Sequence, residues 1–81
     1  MTPELQRYYE QRLSMMGDLA WKDLMEDVET MLKATNTLDG VTKENVDFRR
    51  GEVSMMRWML SLKDVSEQAY EQLKDEDAQA T

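Results

Sequence analysis

Histidine is absent from this 81-residue chain, and with it go the usual general base, the commonest metal ligand and the physiological pH switch. Cysteine is absent too. Disulfides and thiolate metal sites are thereby excluded, and cysteine usage places no constraint on the redox compartment. Positive charge is scarce. Ten Lys and Arg face 17 Asp and Glu, a formal net charge of −7, whereas nucleic acids and anionic membranes both select a basic face. No apolar run approaches the roughly 20 residues that a membrane-spanning helix needs. The opening Met-Thr-Pro-Glu-Leu lacks the charged-then-apolar pattern of an export signal, so a soluble intracellular protein is expected. Strict apolar/polar alternation is missing and β-branched residues are sparse, which excludes a sheet.

What is present is helical. In the stretch Val53–Leu62, placed on a helix at about 100° per residue, the apolar side chains cover an arc of roughly 220°. A helix packed on one side of a small domain needs little more than about 100°. The excess calls for cover, from a second helix of the same chain or from another chain.

Punctuation divides the chain. Thr2 is placed to cap a first helix, Pro3 suits its first position and Glu4 complements its dipole. Leu5, Tyr9, Leu13 and Met16 then follow at helical spacing. A second series runs through Ala20, Trp21, Leu24, Met25, Val28, Met31 and Leu32. Extrapolated as one ideal helix, the two apolar faces differ by about 130°, so a break is expected at Gly17-Asp18, with Gly17 as C-cap and Asp18 as the next N-cap. Thr35–Val41 reads as a connector rich in turn formers. Thr42 reads as the next cap, with Val41 and Val46 spaced as a hydrophobic staple. The last helix is expected to run to about Leu73, some 45 Å at 1.5 Å per residue. Its seam is expected through Phe48, Met55, Met59, Leu62, Ser66, Ala69 and Leu73, with Val65 beside it.

The expectation is therefore all-α: a helical hairpin with a long C-terminal helix, or a three-helix unit if the chain breaks near Gly17. One domain spans 1–73, with helices at about 3–16, 18–35 and 42–73. The acidic tail 74–81 has little to bury and is expected to fray. Met55, Met59 and Leu62 are expected to face the second helix. Val53, Met56 and Leu60 are placed to meet the first through Leu5, Tyr9 and Met16.

Little here carries chemistry. Asp23, Glu26, Asp27 and Glu29 form the densest carboxylate cluster, and Asp23, Glu26 and Asp27 share the polar face opposite Trp21, Leu24 and Val28. Di-iron bundles need Glu-x-x-His pairs, and Asp39-Gly40 lacks the spaced oxygen ligands of a calcium loop. Ser14, Ser54, Ser61 and Ser66 have no histidine to activate them. No enzyme activity, cofactor or metal is expected. Gly51 interrupts a strong helical pattern at a cost of about 1 kcal/mol; it marks either close approach of a backbone or of Trp21, or a tolerated surface glycine. Arg49 and Arg50 form the main basic spot, as salt-bridge partners of Asp23, Glu26 or Asp27 or as a polar contact. Eight methionines and two tryptophans suit an irregular core or an adaptable binding surface. The interaction candidates are Trp21, Val53, Met55, Met56, Trp58, Met59, Leu60 and Leu62, with the two tryptophans as anchors.

Arg7-Tyr8-Tyr9-Glu10, Trp21-Lys22-Asp23-Leu24, Phe48-Arg49-Arg50-Gly51-Glu52 and Arg57-Trp58-Met59-Leu60-Ser61-Leu62 together resemble a family of small helical proteins of tailed, mainly short-tailed, bacteriophages, of about this length and with acidic tails. In that pattern a glycine precedes the tryptophan; here Leu19-Ala20 stand there and Gly17 is the nearest glycine. The resemblance implies an accessory or virion-associated protein, found in the particle or in the cytoplasm of the infected host, and transfers no catalytic residue. A phage structural or assembly protein that self-associates or binds another phage protein is the first expectation. A small regulator or inhibitor that docks on a host protein is the alternative.

Overall fold

The computed structural model describes residues 1–80 and contains three helices among them: α1 (Pro3–Met16), α2 (Leu19–Thr35) and α3 (Val46–Gln79). The expected all-α hairpin is what forms. α1 and α2 make one broken arm running antiparallel to the long α3. α1 lies along the C-terminal part of α3 and α2 along its N-terminal part.

Thr2 caps α1, its hydroxyl accepting from the Leu5 amide at 3.1 Å, with Pro3 in the first turn. The arm breaks where expected, with Gly17 as the C-cap of α1 and Asp18 as the N-cap of α2. Gly17 keeps a right-handed φ of −86°, and the chain turns at Asp18, whose backbone is extended (φ −73°, ψ 148°) and whose side chain makes no capping bond. The apolar faces of α1 and α2 both reach α3 only with this reorientation, so burial rather than glycine freedom sets the break.

Regular α3 begins at Val46, four residues after the expected Thr42. Residues 42–45 form a turn closed reciprocally: the Thr42 amide donates to Asn45 Oδ1 at 2.8 Å, and the Asn45 amide to Thr42 Oγ1 at 3.2 Å. The connector turns at Gly40, whose φ of +71° is in the left-handed region. The Asn45 side chain donates to the Gly40 carbonyl, and Arg49 Nη1 to that of Asp39.

At the other end the acidic tail is helical through Gln79, against the expected fraying; Thr81 lies outside the described residues. Strong helix formers dominate the segment, Glu71 pairs with Lys74 at 2.9 Å, and Asp77 meets the Met1 amino group at 2.6 Å. α3 is thus about 50 Å long.

A polar clasp fastens α1 to α3. The Tyr9 ring stacks on Tyr70 with centroids 5.6 Å apart. Tyr70 Oη donates to Glu10 Oε1 at 2.9 Å, and Gln6 Nε2 donates to the same oxygen at 3.0 Å. Hydrogen bonds from Gln6 and then Tyr70 hold the Glu10 carboxyl below its usual range. The bond to Glu10 pushes the Tyr70 phenol up. The clasp therefore weakens at both extremes. The Glu10 contribution is lost as pH falls through its lowered value, below 4.5. The Tyr70 contribution is intact below pH 10 and lost as pH rises through its raised value. In a phenolate absorbance titration, Glu10→Gln is expected to bring the last ionisation to lower pH; an unchanged end point would contradict the bond.

The hairpin is a slab, 56 × 27 × 17 Å. Its radius of gyration of 17.2 Å compares with about 11.7 Å for a compact chain of this length. A slab less than two helix diameters thick exposes both faces, so few apolar side chains are buried: Met16 (0% exposed), Val28 (6%) and Met56 (8%). No closed three-helix unit forms, because α1 continues the arm instead of folding over α2 and α3.

Candidate protein-contact surface

α3 presents two apolar seams. The inner seam runs through Val46, Arg49, Val53, Met56, Leu60, Lys63, Ser66, Tyr70 and Leu73, all buried or half-buried. From Met59 onward the expected seam coincides with it: Met59, Leu62, Ser66, Ala69 and Leu73 are buried or half-buried. Before Met59 it does not. Phe48 is 71% and Met55 57% exposed, so Met55 faces away from the α2 contact expected for it. The two stretches lie on different sides because the apolar arc is wide enough to hold two seams.

The outer seam is Phe48, Met55, Trp58 and Val65, with Leu62 on its edge. Four of the large exposed apolar residues elsewhere are paired one heptad apart, Leu24 with Met31 on α2 and Tyr8 with Met15 on α1, while Leu19 and Leu38 stand outside that period. Met31 shares with Phe48, Gly51, Glu52, Met55 and Met56 an open groove of about 500 Å3. Leu24 and Met31 therefore flank the outer seam on one face of the slab. Sequence reasoning missed Phe48, Val65, Leu24 and Met31 as surface residues; their seven-residue spacing was the available signal.

The opposite face is mixed, apolar and charged. Its groove, about 250 Å3, is lined by Met16, Trp21, Met25, Leu60 and charged residues including Lys22, Lys63 and Asp64. Trp21 is half-buried there and is not brought together with Trp58, which is 55% exposed on the outer seam. Leu60 reaches Met16 of α1 as expected. Val53 and Met56 instead lie beside α2 and its exit: Met56 shares the groove of Met31, and Val53 one with Asn36, Arg50, Ser54 and Arg57. α1 does not extend that far along α3.

Arg49 and Arg50 do not pair with Asp23, Glu26 or Asp27. Arg49 is half-buried and holds the connector through the Asp39 carbonyl. Arg50 is exposed, beside Arg57. Asp23, Glu26, Asp27 and Glu29 are all solvent-exposed, and no three acidic side chains among the described residues converge as metal ligands. No helix among the described residues is long and apolar enough to cross a membrane.

Gly51 is resolved between its two readings. Nothing lies within 4 Å of the position a Cβ would take, so neither Trp21 nor a backbone of this chain approaches it. In the single chain at high dilution, Gly51→Ala is accordingly expected to stabilise α3 by about 1 kcal/mol and raise the melting temperature by about 4–8 °C, read by circular dichroism. A fall in melting temperature would contradict the open environment.

No family model, no curated protein and no solved structure matches this chain.

Proposed function

We propose that this chain is a non-enzymatic protein–protein interaction protein, acting as a structural or assembly accessory protein of a tailed phage. The observation that carries the contact reading is the outer seam: a heptad-spaced apolar face on a slab whose inner seam is already occupied. Contiguous exposed apolar surface flanked by polar residues is what a protein contact uses, and methionine with tryptophan gives it adaptable and anchoring side chains. The phage setting is supported by the resemblance of the Arg7–Glu10, Trp21–Leu24, Phe48–Glu52 and Arg57–Leu62 segments. The chain works in the particle or in the infected cell.

Quantifying the chain in purified particles tests this reading. Incorporation at a fixed copy number, lost in Trp58→Glu, is the expected result. Absence from particles would contradict the virion role, and incorporation indifferent to Trp58→Glu would contradict the role of the outer seam.

A further inference from the structure

The contact reading leaves open what covers the outer seam. Resting on that reading, we infer that the occupant is a second copy of this chain, antiparallel to the first about a twofold axis that crosses α3 between Met56 and Arg57.

Exposed area favours a second copy. The chain exposes 6349 Å2, whereas a compact monomer of 9.5 kDa exposes about 5,050 Å2. The excess of about 1,300 Å2 exceeds the roughly 800 Å2 per partner of a standard stable interface.

Spacing does too. Phe48, Gly51, Met55, Trp58, Leu62 and Val65 alternate at three and four residues, the pattern by which helices pack side by side with knobs in holes. Apart from half-buried Leu62, which borders both seams, this run lies outside the intramolecular seam and serves a helix from elsewhere.

Symmetry selects the register. An axis between Met56 and Arg57 sets Phe48 against Val65 of the second copy, Gly51 against its Leu62 and Met55 against its Trp58. All six positions find a partner, and Leu62 enters the open space at Gly51. Sliding the register by one heptad strands part of the seam. A parallel pairing puts Trp58 on Trp58 and leaves a void between two glycines. Beside the antiparallel seam no like charges meet: Ser54 adjoins Ser61, Asp47 adjoins Gln68, and Glu52 adjoins Met59.

α2 fits the same axis. Met31 lies beside Phe48–Met56, and Met25 beside Leu60 and Lys63. The level of the axis therefore crosses α2 midway between Leu24 and Met31. The same rotation brings Leu24 against Met31 of the second copy. Two pairs of hairpin arms then close into an isologous four-helix bundle with the exposed heptad residues of α2 and α3 at its centre.

The absence of native cysteine makes the register directly readable. A tagged Gly51→Cys chain is mixed with a Leu62→Cys chain and oxidised gently; a disulfide forms only where Cα atoms come within about 4.4–6.8 Å. The mixed cross-linked dimer is expected to exceed either self-linked dimer by about tenfold or more, and to disappear when both chains also carry Trp58→Glu. Lys22→Cys mixed with Leu62→Cys, on opposite faces, is expected to give none. Self-linked Gly51→Cys dimers in excess, or no cross-linked dimer at tens of micromolar, overturns the proposal. If cross-linking fails while Trp58→Glu still blocks incorporation into particles, the contact reading stands with another occupant. If neither depends on Trp58, both readings fall.

Discussion

Met16→Ala is expected to cost about 3–4 kcal/mol of stability, the range for emptying a fully buried methionine site. Among the described residues, Met16 is the one large side chain with no exposure. It sits at the end of α1, where the arm breaks, in the same cluster as Trp21 and Met25 of α2 and Leu60 of α3. Truncating it removes the packing that joins all three helices, and the bent backbone on either side cannot collapse into the space. A core this small supplies only about 3–5 kcal/mol in all, so most of the chain is expected to be unfolded at room temperature. Far-ultraviolet circular dichroism at fixed concentration reads the effect as a melting temperature lowered by at least about 15 °C. Met16→Leu conserves volume and is expected to cost less than about 1.5 kcal/mol. A Met16→Ala chain that melts within a few degrees of wild type would mean that the junction is not where the fold is held.

The second large effect is of the opposite kind. Trp58→Glu removes no core contact, since Trp58 points away from α1 and α2 and is mostly exposed. The intramolecular fold is expected to change by no more than about 0.5 kcal/mol. Self-association is expected to weaken by about 2–4 kcal/mol, some 30- to 1,000-fold, because a central aromatic anchor is lost and a carboxylate must be desolvated beside Met55 of the second copy. Sedimentation equilibrium reads this as a shifted midpoint of the monomer–dimer curve. The two substitutions together separate folding from contact. One abolishes helicity, and the other leaves helicity at high dilution and abolishes association.

The architecture was legible where local chemistry and burial agree. Thr2 and Pro3 mark a helix start that nothing else in the chain opposes, and the mismatch of the apolar faces before and after Gly17 announces the break. The inner seam of α3 was not fully legible because its members include Arg49 and Lys63. These bury their aliphatic stems while keeping a charged end free, so they read as polar. Phe48 and Met55, larger and apolar, outweigh them in any hydrophobic pattern, although they belong to the outer seam. The contact surface itself was legible as an arc too wide for one helix, but not which part of that arc was spare. The helical acidic end of α3 was not legible for a related reason: composition weighs burial, whereas Glu71 is held by a pair with Lys74 along α3 itself, and Asp77 and Tyr70 by an ion pair and a ring stack that depend on where the start of the chain and α1 lie.

The most direct measurement is the solution mass of the purified chain by light scattering through a dilution series, beside that of Trp58→Glu. The expected wild-type mass is near twice 9.5 kDa, falling toward one chain mass only on strong dilution, and the expected Trp58→Glu mass is that of one chain throughout. A wild-type chain that remains a folded monomer at tens of micromolar would contradict pairing with a second copy.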